Sequence, residues 1–125
     1  MTLQNKKVLI TGSSRGLGKS LVKSYEKEGA SVIGLTRKDC DLSKPDEIYS
    51  FIKEVGEIDV LVNCAGIFHV GNFHDMSLEQ YNECIQINLT APFILSQELS
   101  KGMADRGWGR IVNICSSSAY GGSAK

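Results

Sequence analysis

Three glycines, Gly12, Gly16 and Gly18, separate an apolar segment from a helical pattern near the start of the chain. The apolar segment, residues 6–10, is short and contains β-branched side chains, as expected of a buried parallel strand. The pattern that follows, residues 17–25, repeats apolar side chains every four positions and predicts an amphipathic helix. A loop between such a strand and helix offers free backbone N–H groups and the positive end of the helix dipole, which together favour a phosphate.

The spacing of these glycines leaves three interpretations of the loop. The pattern is G-x-x-x-G-x-G, which differs from the G-x-G-x-x-G of the ordinary dinucleotide fingerprint. Gly18, Lys19 and Ser20 resemble the end of a phosphotransferase P-loop, but Ser13 stands where that motif requires glycine. A turn that binds nothing is the remaining alternative, because short motifs also arise by chance. The strand and helix on either side favour a nucleotide-binding loop.

A second predicted strand, residues 31–35, ends at Thr36 and Arg37. The adenosine ribose lies at the carboxyl end of this strand in parallel nucleotide-binding sheets. Arg37 and Lys38 suit a 2′-phosphate, and Arg37 is the better partner because its guanidinium can form two parallel hydrogen bonds with it. Arg15 in the glycine loop adds another positive charge. We therefore predict NADP(H) in preference to NAD(H), while Asp39 keeps a ribose contact typical of NAD open as the alternative.

Two later strands also end in small or polar residues. The predicted strand at residues 59–62 runs into residues 63–66, Asn-Cys-Ala-Gly, where small side chains let a cofactor approach the backbone. The predicted strand at residues 111–114 is followed by cysteine and three serines at 115–118. Because ligands of open α/β sheets bind at the carboxyl ends of the strands, these hydroxyls are expected in the same crevice. Each segment by itself is also compatible with an ordinary loop.

A long helical pattern covers residues 78–104 and is interrupted by Pro92. Ser77 opens it with a capping box. The first part has an apolar face made of Leu78, Tyr81, Ile85 and Leu89. Asn88 lies just before the proline, where a polar side chain can bond backbone groups that a kink frees.

Length and composition limit the classes of function. The chain has 125 residues, enough for one domain. Its 14 basic residues balance its 14 acidic ones, so its net charge does not indicate nucleic acid or an anionic membrane as a partner. No segment predicts a signal peptide or a membrane span, which favours the cytoplasm. The four cysteines are too far apart for a metal site, His69 and His74 have no partner at ligand spacing, and we predict no metal.

With the glycine loop, residues 63–66, Asn88 and Ser116 in this order, the chain resembles the short-chain dehydrogenase/reductase family. The resemblance extends over residues 1–125 and is strongest to the classical branch that includes the 3-oxoacyl-acyl-carrier-protein reductases. It implies a single α/β domain with a Rossmann-type, doubly wound parallel sheet of strand order 3-2-1-4-5. The third strand is expected to be a stub near Asp41, and the family's C-terminal strands and helices are expected to lie beyond residue 125.

The resemblance also implies roles for individual residues. Taken with the basic end of the second strand, it assigns cofactor contacts to Thr11, Gly12, Ser14, Arg15, Gly16, Leu17, Gly18, Thr36, Arg37, Asp41, Leu42, Asn63, Cys64, Ala65 and Gly66. Asn88 corresponds to the asparagine that holds a water in the proton relay. Ser116 corresponds to the serine that orients the substrate carbonyl, with Ser117 as the alternative register.

The family's general acid is the tyrosine of a Tyr-x-x-x-Lys motif, and Tyr120 and Lys125 are five residues apart instead of four. We therefore expect this motif further along a natural chain and no turnover by residues 1–125 alone. The expected function is NADP(H)-dependent reduction of a small carbonyl compound or oxidation of an alcohol, in a homo-oligomer formed through residues 78–104. The alternatives are a noncatalytic nucleotide-binding or interaction module and a P-loop phosphotransferase.

Overall fold

The computed structural model describes residues 3–121, which fold into one parallel sheet with helices on both faces. The elements in chain order are β1 (Lys7–Thr11), α1 (Gly16–Lys27), β2 (Ser31–Leu35), α2 (Pro45–Val55), β3 (Val60–Asn63), α3 (Leu78–Ile85), α4 (Ala91–Asp105) and β4 (Arg110–Asn113). A π-helical turn, Gln86–Thr90, joins α3 to α4, and short 3₁₀ turns cover Phe73–Asp75 and Ser117–Ala119. This alternation of strands and helices is the predicted α/β class.

The four strands lie in the order β2-β1-β3-β4, and every neighbouring pair is parallel. Val8 of β1 pairs with Val32 on one side and with Val60 on the other. Leu61 of β3 pairs with Ile111 of β4. The sheet therefore contains the 2-1-4-5 part of the predicted strand order, and the carboxyl ends of all four strands meet at one edge.

The predicted third strand, a stub near Asp41 and Leu42, is not a strand in the described part of the chain. The Asp41 N–H donates a hydrogen bond to the Glu47 carboxylate of α2 at 2.8 Å, and the Asp41 carbonyl accepts one from the Lys44 N–H at 2.9 Å. Both backbone groups that a strand would offer to its neighbour are thus engaged by the start of α2. The segment forms turns for this reason.

Side chains on the two faces of the sheet build two apolar clusters. On one face Leu9 and Leu61 pack with α2 and α4, and on the other Val8 and Ile10 pack with α1. Alternation along β1 explains this division, because successive side chains of a strand point to opposite faces. Helices therefore cover both faces, and the sheet is doubly wound as predicted.

The predicted helix over residues 78–104 is divided by the π-helical turn just before Pro92. The capping box is present, since the Gln80 N–H donates to the Ser77 hydroxyl at 3.2 Å and the Ser77 N–H donates to the Gln80 side chain at 3.0 Å. Five apolar side chains of α4 are buried: Ala91, Ile94, Leu95, Leu99 and Met103.

By contrast, the predicted apolar face of α3 does not pack on the core. It forms an exposed apolar stripe that continues onto α4 and consists of Leu78, Tyr81, Ile85, Leu89 and Phe93. Leu89 alone is 63% exposed. A contiguous apolar surface of this kind is typical of an interaction site.

One of the two edges of the sheet is formed by β4. Among residues 3–121, β4 pairs with β3 alone, and Ile111 and Val112 are each 38% exposed. Such an apolar strand edge is a surface on which further polypeptide can pair. None of the described helices is long and apolar enough to span a membrane.

Candidate functional site

The carboxyl ends of β1, β2 and β3 open into a first cavity of about 570 Å³. Most of the residues predicted to contact a cofactor line it: Gly12, Ser14, Arg15, Gly16, Leu17, Gly18, Thr36, Arg37, Asp41, Leu42, Cys64, Ala65 and Gly66. These residues come from three loops separated along the chain. The parallel sheet brings them together because it places every strand end on the same side.

The glycine loop passes so close to its neighbours that two of its positions exclude any side chain. A Cβ on Gly12 would lie 2.7 Å from the Ala65 Cα, and one on Gly18 would overlap the Gly12 carbonyl oxygen. Gly12 also has a φ of 70°, in the left-handed region that favours glycine. Backbone alone therefore forms this wall at the start of α1, where free N–H groups and the helix dipole suit a pyrophosphate.

Thr11 and Asn63 were also predicted to contact the cofactor, but neither lines the first cavity. Thr11 is 1% exposed, and its hydroxyl accepts hydrogen bonds from the Cys64 N–H at 3.0 Å and the Ala65 N–H at 2.9 Å. It lies below the cavity and fixes the loop after β3. Asn63 is likewise buried and donates to the Asn113 side chain at 2.8 Å, which ties the end of β3 to the end of β4.

At the end of β2, Arg37 and Asp39 point in different directions. Arg37 lines the first cavity, and its side chain is 74% exposed. Asp39 is not in the lining, because its carboxylate accepts hydrogen bonds from the Thr36 hydroxyl at 2.6 Å and the Thr36 N–H at 2.9 Å. The Thr36 hydroxyl lowers the pKa of Asp39 below its ordinary value. The carboxylate that would indicate NAD is thus engaged within its own turn.

Asp41 and Leu42 form part of the wall of the first cavity, on the same loop as Arg37. The Asp41 carboxylate accepts hydrogen bonds from the Ser43 hydroxyl at 2.8 Å and the Ser43 N–H at 3.0 Å, and it lies 3.4 Å from the Arg37 guanidinium. The Ser43 hydroxyl is the main cause of the lowered pKa of Asp41. The wall therefore carries a fixed negative charge beside Arg37.

A second cavity, of about 960 Å³, adjoins the first and shares residues 64–67 with it. Both residues predicted to be catalytic, Asn88 and Ser116, line this cavity. Ser117, the alternative register, does not, whereas Ser118 does. The Ser116 hydroxyl accepts a hydrogen bond from the Ser118 N–H at 3.1 Å, which holds it at the start of a 3₁₀ turn.

Asn88 joins the π-helical turn to the loop after β3. Its side-chain oxygen accepts from the Ile67 N–H at 2.9 Å, and its side-chain nitrogen donates to the Ile67 carbonyl at 2.7 Å. Pro92, four residues later, has no N–H and cannot form the α-helical hydrogen bond with the Asn88 carbonyl. The side chain of Asn88 is thus occupied in holding the loop, while its carbonyl lacks the usual helical partner.

Sequence reasoning missed several residues of the two cavities. Ile67 and Ile87 line the first cavity, and Ile67, Phe68 and Asn113 line the second. In the sequence, only adjacency to predicted site residues pointed to Ile67 and Ile87. Nothing pointed to Asn113, the last residue of β4. These positions become part of the site only through contacts between distant segments.

The tyrosine and histidines near the site stand apart from both cavity linings. Tyr120 is 97% exposed, and Lys125 lies outside the described residues. His69 lies 3.2 Å from the Glu83 carboxylate of α3. Burial raises the pKa of the Cys64 thiol. No group of three metal-ligating side chains occurs among residues 3–121.

Comparison with known proteins gives one family and many relatives. A family model described as short chain dehydrogenase matches residues 38–125. The uncharacterized oxidoreductase YvrD of Bacillus subtilis is 37% identical over 93% of this chain and 53% of its own length. The 3-oxoacyl-[acyl-carrier-protein] reductase FabG of Vibrio cholerae is 31% identical over 91% of this chain and 56% of its own. The chain thus spans about half the length of the curated relatives it matches.

A solved structure agrees with the fold over nearly the whole chain. It is a putative NAD(P)-dependent gluconate 5-dehydrogenase from Beutenbergia cavernae, solved with bound NADP at low occupancy. The TM-score is 0.92 at 27% identity, and the match covers 98% of this chain and 58% of that one.

Proposed function

The chain belongs to the short-chain dehydrogenase family, and from that premise we propose that the protein is an NADP(H)-dependent oxidoreductase acting on a small carbonyl or alcohol substrate. The observation that carries the proposal is the pair of adjoining cavities that share residues 64–67. The first has the features of a dinucleotide site. The second places a serine hydroxyl and an asparagine beside it.

The residues divide between binding and orientation. The glycine loop and the start of α1 would hold the pyrophosphate. Asp41 and Leu42 would hold the adenine end, because they form the cavity wall beside Arg37 at the end of β2, where the adenosine of the cofactor lies. When bound, the nicotinamide donates or accepts the hydride of the reaction. Ser116 orients the substrate oxygen by hydrogen bonding, and Asn88 holds the loop at Ile67 while its carbonyl accepts a hydrogen bond from water.

The preference for NADP(H) rests on the charges at the end of β2. Arg37 and Arg15 both line the first cavity, whereas Asp39 is engaged by Thr36. A 2′-phosphate beside Arg37 gains a charge-assisted hydrogen bond that the 2′-hydroxyl of NAD(H) cannot match.

Replacing Arg37 with aspartate should reverse the preference. The substitution removes the phosphate partner and introduces a like charge, so we expect the Kd for NADPH to rise by about tenfold to a hundredfold relative to that for NADH. The measurement is a fluorescence titration of the full chain with each nucleotide. Lys38→Asp is the matched control, because Lys38 does not line the first cavity. An unchanged NADPH/NADH ratio in Arg37→Asp would rule out this assignment.

A noncatalytic nucleotide-binding module is the second candidate, and the exposure of Tyr120 favours it. Among residues 3–121, Tyr120 lines neither cavity and is therefore not placed to act as a general acid there. Carbonyl-dependent oxidation of NADPH discriminates the two candidates when it is assayed on the natural protein that contains these residues, because residues 1–125 alone are not expected to turn over. Turnover supports the oxidoreductase, and nucleotide binding without turnover supports the module.

We also propose that a second copy of the protein covers the apolar stripe. Leu78→Asp should shift the sedimentation of the full chain toward the monomer, because it places a charge in the stripe while an acid in the first turn of α3 remains compatible with the helix. Tyr49→Asp on α2 is the control, since Tyr49 is an exposed aromatic outside the stripe. Equal sedimentation of Leu78→Asp and the unsubstituted chain would count against the interface.

A further inference from the structure

The π-helical turn between α3 and α4 contacts two residues that line the first cavity, Leu42 and Ile67. The turn is defined by a hydrogen bond from the Ala91 N–H to the Gln86 carbonyl, five positions earlier. The Gln86 side-chain amide donates to the Leu42 carbonyl at 3.2 Å. Two residues later, Asn88 forms its paired hydrogen bonds with Ile67. Ile87, between them, is buried and lines the first cavity.

Leu42 depends on such side-chain contacts because it belongs to no strand. Its side chain is buried in the core and lines the cavity wall, but its backbone lies in the turns between β2 and α2. The neighbouring Asp41 N–H is held by Glu47 of α2. Gln86 adds a contact from the π-helical turn, so the wall is held between two helical segments.

We propose that Gln86 is a positioning residue for the adenine end of the nucleotide. The inference rests on the proposed function and deepens it. Gln86 holds the wall formed by Asp41 and Leu42, while Asn88 separately holds the loop at Ile67. The π-helical turn thus holds two segments that line the first cavity. Gln86 positions the segment on the adenine side, and Asn88 positions the loop on the nicotinamide side.

This arrangement predicts a split between the two halves of the cofactor. Loss of the Gln86 amide frees the Leu42 carbonyl and loosens the adenine wall, but it leaves both hydrogen bonds of Asn88 in place. Binding of the adenine half should weaken, while binding of the nicotinamide half stays the same. A general destabilisation of the fold would weaken both halves equally.

The test compares variants of the full chain by titration with ADP, reduced nicotinamide mononucleotide and NADPH. Gln86→Met, which keeps the side-chain length and removes the donor, should raise the Kd for ADP by about threefold to tenfold, the loss expected for one hydrogen bond. The Kd for reduced nicotinamide mononucleotide should change less than about twofold by the same scale. Gln97→Met is the control, because Gln97 is exposed on α4 and lines neither cavity.

Two further substitutions separate positioning from folding. Gln86→Lys keeps a hydrogen-bond donor and should restore most of the affinity for ADP, whereas Gln86→Glu has no donor and should behave like Gln86→Met. Unchanged ADP binding in Gln86→Met, or equal weakening of both halves, would overturn the inference. If the unsubstituted chain binds neither NADPH nor NADH, the proposed function fails instead.

Discussion

Replacing Gly18 with alanine is expected to weaken nucleotide binding strongly and to destabilise the fold. The new Cβ would overlap the Gly12 carbonyl oxygen and lie 2.8 Å from the Gly12 carbonyl carbon and 3.2 Å from the Ser13 Cα. These are backbone atoms of the same loop, so the clash cannot be relieved by rotating a side chain. We expect the free energy of unfolding to fall by about 1–3 kcal/mol and the Kd for NADPH to rise by more than about tenfold.

Gly71→Ala is the matched control for this substitution. An added Cβ at Gly71 meets nothing within 4 Å, and the backbone there is not in the left-handed region. Its effect on both urea denaturation and NADPH titration should be small. If a folded Gly18→Ala variant binds NADPH within about twofold of the unsubstituted chain, the glycine loop is not the phosphate site.

Replacing Thr11 with valine is expected to lower the free energy of unfolding by about 2–4 kcal/mol, because two partly buried backbone N–H groups lose their acceptor. Valine preserves the shape of threonine, so the effect reports the hydroxyl and not a cavity. The N–H groups belong to Cys64 and Ala65, which line both cavities. We therefore also expect weaker NADPH binding. Urea denaturation and nucleotide titration measure the two effects.

Thr11→Ser is the control, since it keeps the hydroxyl and removes only a methyl group. It should retain more of the stability than Thr11→Val does. If Thr11→Val is as stable as Thr11→Ser, the two hydrogen bonds do not hold the loop after β3. In the structure Thr11 is buried and does not line the first cavity. It supports the loop beneath the cavity and does not contact the cofactor directly.

The sequence by itself determined the features that depend on neighbouring residues. The apolar run before Gly12 predicted β1, the four-residue repeat after it predicted α1, and Ser77 with Gln80 predicted the start of α3. The sequence also predicted the kind of ligand group at two strand ends, because a glycine loop and a basic strand end have local signatures. The parallel arrangement then brought most of the predicted cofactor residues to one cavity.

Only the tertiary structure decided which of these residues face the cavity and which support it. Thr11 contacts residues 53 and 54 positions away, and Gln86 contacts one 44 positions away. No local pattern encodes such partners, because their hydrogen bonds depend on how the strands and helices pack. The same reason explains why Asp39 turns away from the cavity that Arg37 lines, and why α3 exposes an apolar face that its sequence alone could not distinguish from a buried one.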